Sequence, residues 1–301
     1  MYSWSELLEE VTKHESDAST GGIQFLENTK RDLIRKLSQK TDRNTILYFS
    51  AFLHKQTNKA SINDTDINAF MECVHGLDQK KGLDLILHTP GGELAATEQI
   101  IYYLRSIFQG DIRAIIPQMA MSAGSMIAVS CREIIMGKQS CLGPFDPQLN
   151  GIPCQSAIKE FYQAAKDVAK NPASLGLWQV IISKLNPTFL TLCQQADELG
   201  MELTDSILKH SNYTAKAKTA IKKLFSKSAI SKTHGRHINK EKCKAAGLNI
   251  TDLEADQAIQ DLVLGIHHCC MILGERSTVV KIVENNIGGC YLCQQNPQRH
   301  Q

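Results

Sequence analysis

The sequence predicts an α/β fold built on a mostly parallel sheet, and three observations carry that reading. Apolar, β-branched stretches alternate with helix-period stretches from Thr45 to Met136, the order produced by parallel strands joined through crossover helices. The strand-like stretches are apolar nearly throughout, as strands covered on both faces are. Two of them break off in small-residue turns, Thr89-Pro90-Gly91-Gly92 and Met121-Ser122-Ala123-Gly124.

Taken in order, residues 1–40 read as helical and partly exposed. Thr45–Leu53 (TILYFSAFL) is a strand rich in β-branched and aromatic residues. Asp64–Leu77 is helical, Gly82–His88 is a second strand, and the Pro90-Gly91-Gly92 turn ends it. Leu94–Phe108 is a helix, with Leu94, Ile100, Ile101, Leu104 and Ile107 within reach of one face. Ile112–Pro117 is a third strand, Ser122–Val129 opens another helix, and Glu133–Met136 is a short fourth strand. Beyond Gly143 the character becomes helical: Gln155–Lys170, Leu175–Leu185, Pro187–Phe225 and Asp256–Leu273. Thr278–Val283 is a last strand and Ser226–Asn239 an irregular linker. The expected organisation is an N-terminal helical segment (1–40), a main domain (41–285) with a helical insertion at about 155–230, and a C-terminal tail (286–301).

Composition narrows the function classes. A chain of 301 residues with 43% hydrophobic and 21% charged residues is ordinary for a globular protein. The formal charge of +2 does not point to a nucleic-acid binder. Residues 206–245 hold ten lysines and one arginine against one glutamate, which reads as a solvated helical surface rather than a nucleic-acid platform. Met1–Asp17 is acidic and amphipathic, unlike a signal peptide. Ala114–Cys131 carries no charge over eighteen residues, but Pro117, Gln118, Gly124 and three serines make it a strand, turn and buried helix rather than a membrane span. Peripheral contact with a membrane stays open. The ten cysteines sit largely in apolar stretches and read as reduced thiols of a cytoplasmic protein. His267–Cys270 falls within one helix and does not converge with Cys290 and Cys293, so no metal and no other cofactor is expected.

The chemistry lies at the two turns. Ligands of an α/β sheet collect at the carboxyl ends of its strands. Gly92 has no side chain to keep a substrate carbonyl from its N–H. Ser122 opens a helix, and the N–H of Ala123 follows it directly. Unpaired N–H groups at a helix start suit a developing oxyanion. Ser122 is therefore the expected nucleophile, Gly92 and Ala123 the oxyanion donors, and Ser125, one turn further on, a packing residue. Gly91, Glu93 and Asp146 are the expected substrate-side residues. Because a carboxylate opposes a forming anion, the Glu93 side chain is expected to point away. Asp146, before Pro147, orients the base or caps a turn. His88 reads as a core histidine.

These residues carry a family resemblance. Thr89-Pro90-Gly91-Gly92 with Met121-Ser122-Ala123-Gly124 resembles the Clp/crotonase superfamily of serine peptidases, and the surroundings of Ser122 resemble signal peptide peptidase A. GLDLILHTPGG (82–92), IIPQMAMSAGSMIA (115–128), LGPFDPQL (142–149), WQVIISKLNPTFL (178–190) and THGRHINKEKCKAAGLNI (233–250) resemble the serine dehydrogenase proteinase family. The resemblance implies a Clp/crotonase-like spiral of αββ units with extra C-terminal helices, self-assembly into a homo-oligomer, and peptide or protein substrates. It assigns Ser122 as nucleophile with Gly92 and Ala123 as oxyanion donors. Clp-type peptidases place a histidine downstream of the serine, yet no histidine lies between His88 and His210 here. A Ser-Lys pair is the expectation instead, with Lys184 in its apolar setting (VIISKLNPTF) as the base. Lys159, Lys166 or a neighbouring subunit are the alternatives. A crotonase-like acyl-CoA enzyme and a non-catalytic scaffold are the competing functions.

Overall fold

A computed structural model describes residues 3–16, 21–149, 151–225 and 235–295. The first half runs α1 (Trp4–Ser16), α2 (Gly22–Thr41), β1 (Asn44–Ser50), α3 (Asp66–Val74), β2 (Leu83–His88), α4 (Leu94–Phe108), β3 (Ile112–Ile116), β4 (Met119–Ala120), α5 (Ala123–Ser130) and β5 (Glu133–Met136). The short strands β6 (Cys141–Leu142), β7 (Gln148–Leu149) and β8 (Ile152–Pro153) lead into α6 (Cys154–Lys170), α7 (Leu175–Ile182), α8 (Phe189–Lys209) and α9 (Ala215–Phe225). The chain closes with β9 (Ile238–Asn239), α10 (Lys240–Ala245), β10 (Ile250–Asp252), α11 (Gln257–Arg276), β11 (Val279–Asn285) and β12 (Cys290–Gln294).

Seven strands form the main sheet in the order β10-β5-β3-β2-β1-β11-β12. From β10 to β1 every pairing is parallel, and β11 and β12 add antiparallel strands at the β1 edge. Strands β1 and β2 are buried at every position, which is why they read as unbroken apolar runs. One face of the sheet packs Leu85, Leu87, Ala114 and Ile116 against α3, α4 and α5. The other packs Ile86, Ile115 and Phe49 against α1, α2 and α11. Strands β4, β6 and β9 make a small second sheet.

The structure adds detail to three of these readings. The N-terminal helices contribute fully buried core residues, including Leu7, Val11, Leu26, Ile34 and Leu37. Part of the expected C-terminal tail is β12, an edge strand of the main sheet. The stretch Pro187–Phe225 is two helices, broken at His210–Thr214. Most of the expected linker, residues 226–234, lies outside the described residues, and its last two residues form β9.

Candidate active site

The two turns are zipped together by the backbone. Thr89 pairs with Ala120 as a parallel bridge: its N–H donates to the Met119 carbonyl at 3.2 Å, and its own carbonyl accepts from the Met121 N–H at 2.9 Å. Thr89 Oγ1 also accepts the Gly91 N–H at 3.1 Å. The close fit demands glycine. A Cβ on Gly91, where φ is +94°, would lie 2.6 Å from the Met121 carbonyl oxygen and 2.8 Å from Ser122 Cβ. Gly143 closes the other side, where a Cβ would lie 3.0 Å from the Ser122 nitrogen.

Ser122 is the residue before α5 and has φ 50° and ψ −120°. This is a left-handed conformation that a residue with a Cβ occupies at a cost of about 1–3 kcal/mol. Serine in the residue before a helix ordinarily accepts a backbone N–H of the first turn, but Ser122 makes no such capping bond. Its hydroxyl is held out at a sharp strand-to-helix turn, the geometry of a nucleophile elbow. Ser125 is spent elsewhere: its hydroxyl donates to the Ala120 carbonyl at 2.6 Å and accepts the Gly143 N–H at 2.7 Å.

The two N–H groups expected as oxyanion donors can be followed through the ladder. Ile62 pairs with Gly92 as a second parallel bridge. The Ile62 N–H donates to the Gly91 carbonyl at 2.8 Å and the Ile62 carbonyl accepts the Glu93 N–H at 2.9 Å. In a parallel ladder the residue between two bonded neighbours turns its own N–H to the other side, so these bonds leave the Gly92 N–H out. Ala123 is the first residue of α5, where an N–H has no partner inside the helix.

Ser122 and Gly92 line one cleft of about 920 Å³ together with Gly91, Glu93 and Lys59. Ile62, Leu94, Phe145, Leu149 and Leu199 give it an apolar wall. Glu93 lines this cleft and is exposed. Asp146 is buried and lines an adjacent cavity of about 200 Å³ instead, although its neighbours Phe145 and Pro147 border both. Lys184 stands exposed in the turn after α7, not in an apolar interior, and does not line the cleft. Lys159 and Lys166 are likewise exposed, on α6. Sequence reasoning missed Lys59, which is exposed and is the one lysine lining the cleft among the described residues, because it sits in an unremarkable polar stretch (KQTNKAS) well ahead of either turn.

His88 is a core residue. It stacks on Phe49 and packs edge-on against His267, and burial pushes its pKa down to about 3. It faces α11, across the sheet from the cleft. Cys290 and Cys293 lie on β12, while His267, His268, Cys269 and Cys270 lie on α11. Among the described residues no three such side chains converge as metal ligands do.

A strained serine at a strand-to-helix turn, backbone N–H groups of Gly92 and Ala123 near it, and parallel strands feeding both turns make this the candidate site. The chain belongs to the ClpP-like SDH-type serine proteinases, whose family model matches residues 22–263. It is 36% identical over 168 residues to the uncharacterized protein MJ1495 of Methanocaldococcus jannaschii, covering 56% of this chain and 51% of that one. It is 32% identical over 157 residues to the uncharacterized protein MJ0137 of the same organism, covering 49% and 53% respectively. The matched stretches thus span about half the length of these relatives.

Proposed function

We propose that this protein hydrolyses peptide bonds, with Ser122 as nucleophile. The observation that carries the reading is the Ser122 backbone, kept in a costly left-handed conformation with its hydroxyl unspent on the helix cap. Ser122 Oγ attacks the scissile carbonyl carbon and the new oxyanion accepts the N–H groups of Gly92 and Ala123. A lysine amine takes the serine proton and returns it to the leaving amine, and water then releases the acyl group from Ser122. The apolar wall of the cleft seats substrate side chains, with Gly91 and Glu93 along the same edge.

Two lysines, both exposed in the single chain, are candidates for the base. Lys59 borders the cleft of its own chain. Lys184 does not, so it would have to be delivered by a second copy. Self-association is supported by α7 (LGLWQVII), none of whose residues is buried, although a helix apolar on all sides is normally enclosed. Asp146 acts from behind the cleft, by fixing the Phe145–Pro147 segment.

The test is hydrolysis of a denatured protein substrate, with fragments read by mass spectrometry. Parent protein should cleave it and Ser122→Ala should not. Equal cleavage by both would reject the serine mechanism, and acyl-CoA turnover that survives Ser122→Ala would favour the crotonase-like alternative. Lys59→Ala and Lys184→Ala then separate the two bases. Lys184→Ala protein mixed with Ser122→Ala protein should regain activity only if the base comes from the other copy.

A further inference from the structure

A buried polar grouping on the cleft side of the sheet contains no residue of the proposed reaction. Lys281 on β11 is 1% exposed and Asp66, the first residue of α3, is fully buried. The ammonium uses all three of its donors: to Asp66 Oδ1 at 2.7 Å, to Asp66 Oδ2 at 2.8 Å and to the Ser61 carbonyl at 2.9 Å. Asp66 Oδ2 also accepts the Tyr48 hydroxyl and the Asn63 N–H, each at 3.0 Å. A lysine so fully engaged is not free to act as a base.

Its partners enclose one short segment. The Ala60 carbonyl accepts the Ser50 hydroxyl at 2.7 Å, the Ser61 carbonyl accepts Lys281, and the Asn63 N–H donates to Asp66. Between them only Ile62 keeps its N–H and carbonyl for another strand, and that strand is Gly91–Glu93. A buried ion pair is expensive to desolvate and is poor evidence for added stability, whereas fixing one arrangement is its best-attested use.

We propose that Lys281 and Asp66 are positioning residues for the oxyanion hole: they clamp residues 61–63 so that Ile62 sets the depth and direction of the Gly92 N–H. This rests on the serine-peptidase reading above. It concerns the transition state rather than the ground state, because the Gly92 N–H bonds most strongly to a charge that exists only there.

Two variants and two readouts test it. Lys281→Met removes the clamp. Lys281→Met/Asp66→Leu removes it without leaving a buried unpaired carboxylate, and so covers the case in which the single variant does not fold. In either folded variant, hydrogen exchange should quicken at least threefold in peptides covering 58–66 and 87–95 and stay unchanged in one covering 112–117. Affinity for a peptide boronate, which mimics the tetrahedral adduct, should fall tenfold or more, while affinity of an uncleaved peptide bound to the Ser122→Ala background stays within twofold. Lys281→Arg should recover most of the boronate affinity. Unchanged exchange at 87–95 in a folded variant overturns the clamp whatever the activity. Equal losses of boronate and peptide affinity overturn the positioning role in favour of a purely structural one. Failure of the parent to bind the boronate at all, with normal exchange, instead removes the serine reading and this role with it.

Discussion

At the scale of single residues, the conformation of Ser122 decides most. Its φ of 50° suits glycine, so Ser122→Gly should be more stable than Ser122→Ala by about 1–2 kcal/mol, seen as a higher urea midpoint at equal slope. Both variants should be inactive. Gly92 has the opposite requirement: a Cβ there would collide with the Ile62 backbone. Gly92→Ala should therefore displace the donor and cut kcat/KM by about 100-fold, the usual cost of one oxyanion donor. His88 makes a pH prediction. Its folded pKa of about 3 lies below the ordinary histidine value, so between the two the unfolded chain binds a proton that the folded one does not. Its contribution favours folding above pH 6.5 and is lost progressively as pH falls toward 3. His88→Phe should flatten that part of the acid-stability curve in urea titrations at successive pH values.

At the scale of elements, the strand ends divide function from support. The carboxyl ends of β2 and the β3–β4 segment carry the proposed site, whereas the opposite end of β2 carries Asp84. That buried carboxylate accepts Arg43 at 2.8 Å and takes two bonds from Arg113 at 2.7 Å each. Asp84→Ala removes the carboxylate that pairs Arg113 and leaves Arg43 only its pair with Asp111, and should lower unfolding stability by about 3–5 kcal/mol, while the folded fraction keeps its kcat/KM. This contrast also explains what was legible in the sequence. Elements formed by local pattern were readable nearly to the residue: Leu94–Phe108 from its apolar face, Glu133–Met136 from its β-branched run, and both turns from their glycines. Lys281 and Asp66 were not, because their partnership spans 215 positions and a lone lysine in a strand ordinarily points to solvent. The burial of Lys184 was misjudged for the converse reason. Apolar neighbours in sequence imply burial only when some other element covers them, and among the described residues none buries a side chain of α7.

At the scale of the whole molecule, the sheet and both its packed faces form one body that includes Leu203, Ile207 and Leu208 of α8, while α6, α7 and the start of α8 form an arm with a small apolar cluster of its own. The strand order follows from pairings between distant segments, which is why β11 beside β1 and β12 at the edge could not be read from local pattern. The exposed Leu177, Val180 and Ile181 of the arm predict association: sedimentation velocity should show an assembly larger than the 33.4 kDa chain. Leu177→Glu/Ile181→Glu should reduce it to a monomer with unchanged far-ultraviolet circular dichroism. No described helix is long and apolar enough to cross a membrane.

The central claim is that Ser122 is an activated nucleophile. It is tested most directly by treating the folded protein with a fluorophosphonate across neutral to alkaline pH and locating the adduct by peptide mass spectrometry. A lysine base works only as the free amine, so the account predicts one adduct, on Ser122, forming faster as pH rises and absent from Ser122→Ala. No adduct on the folded parent at any pH, or one on a different serine, would contradict it.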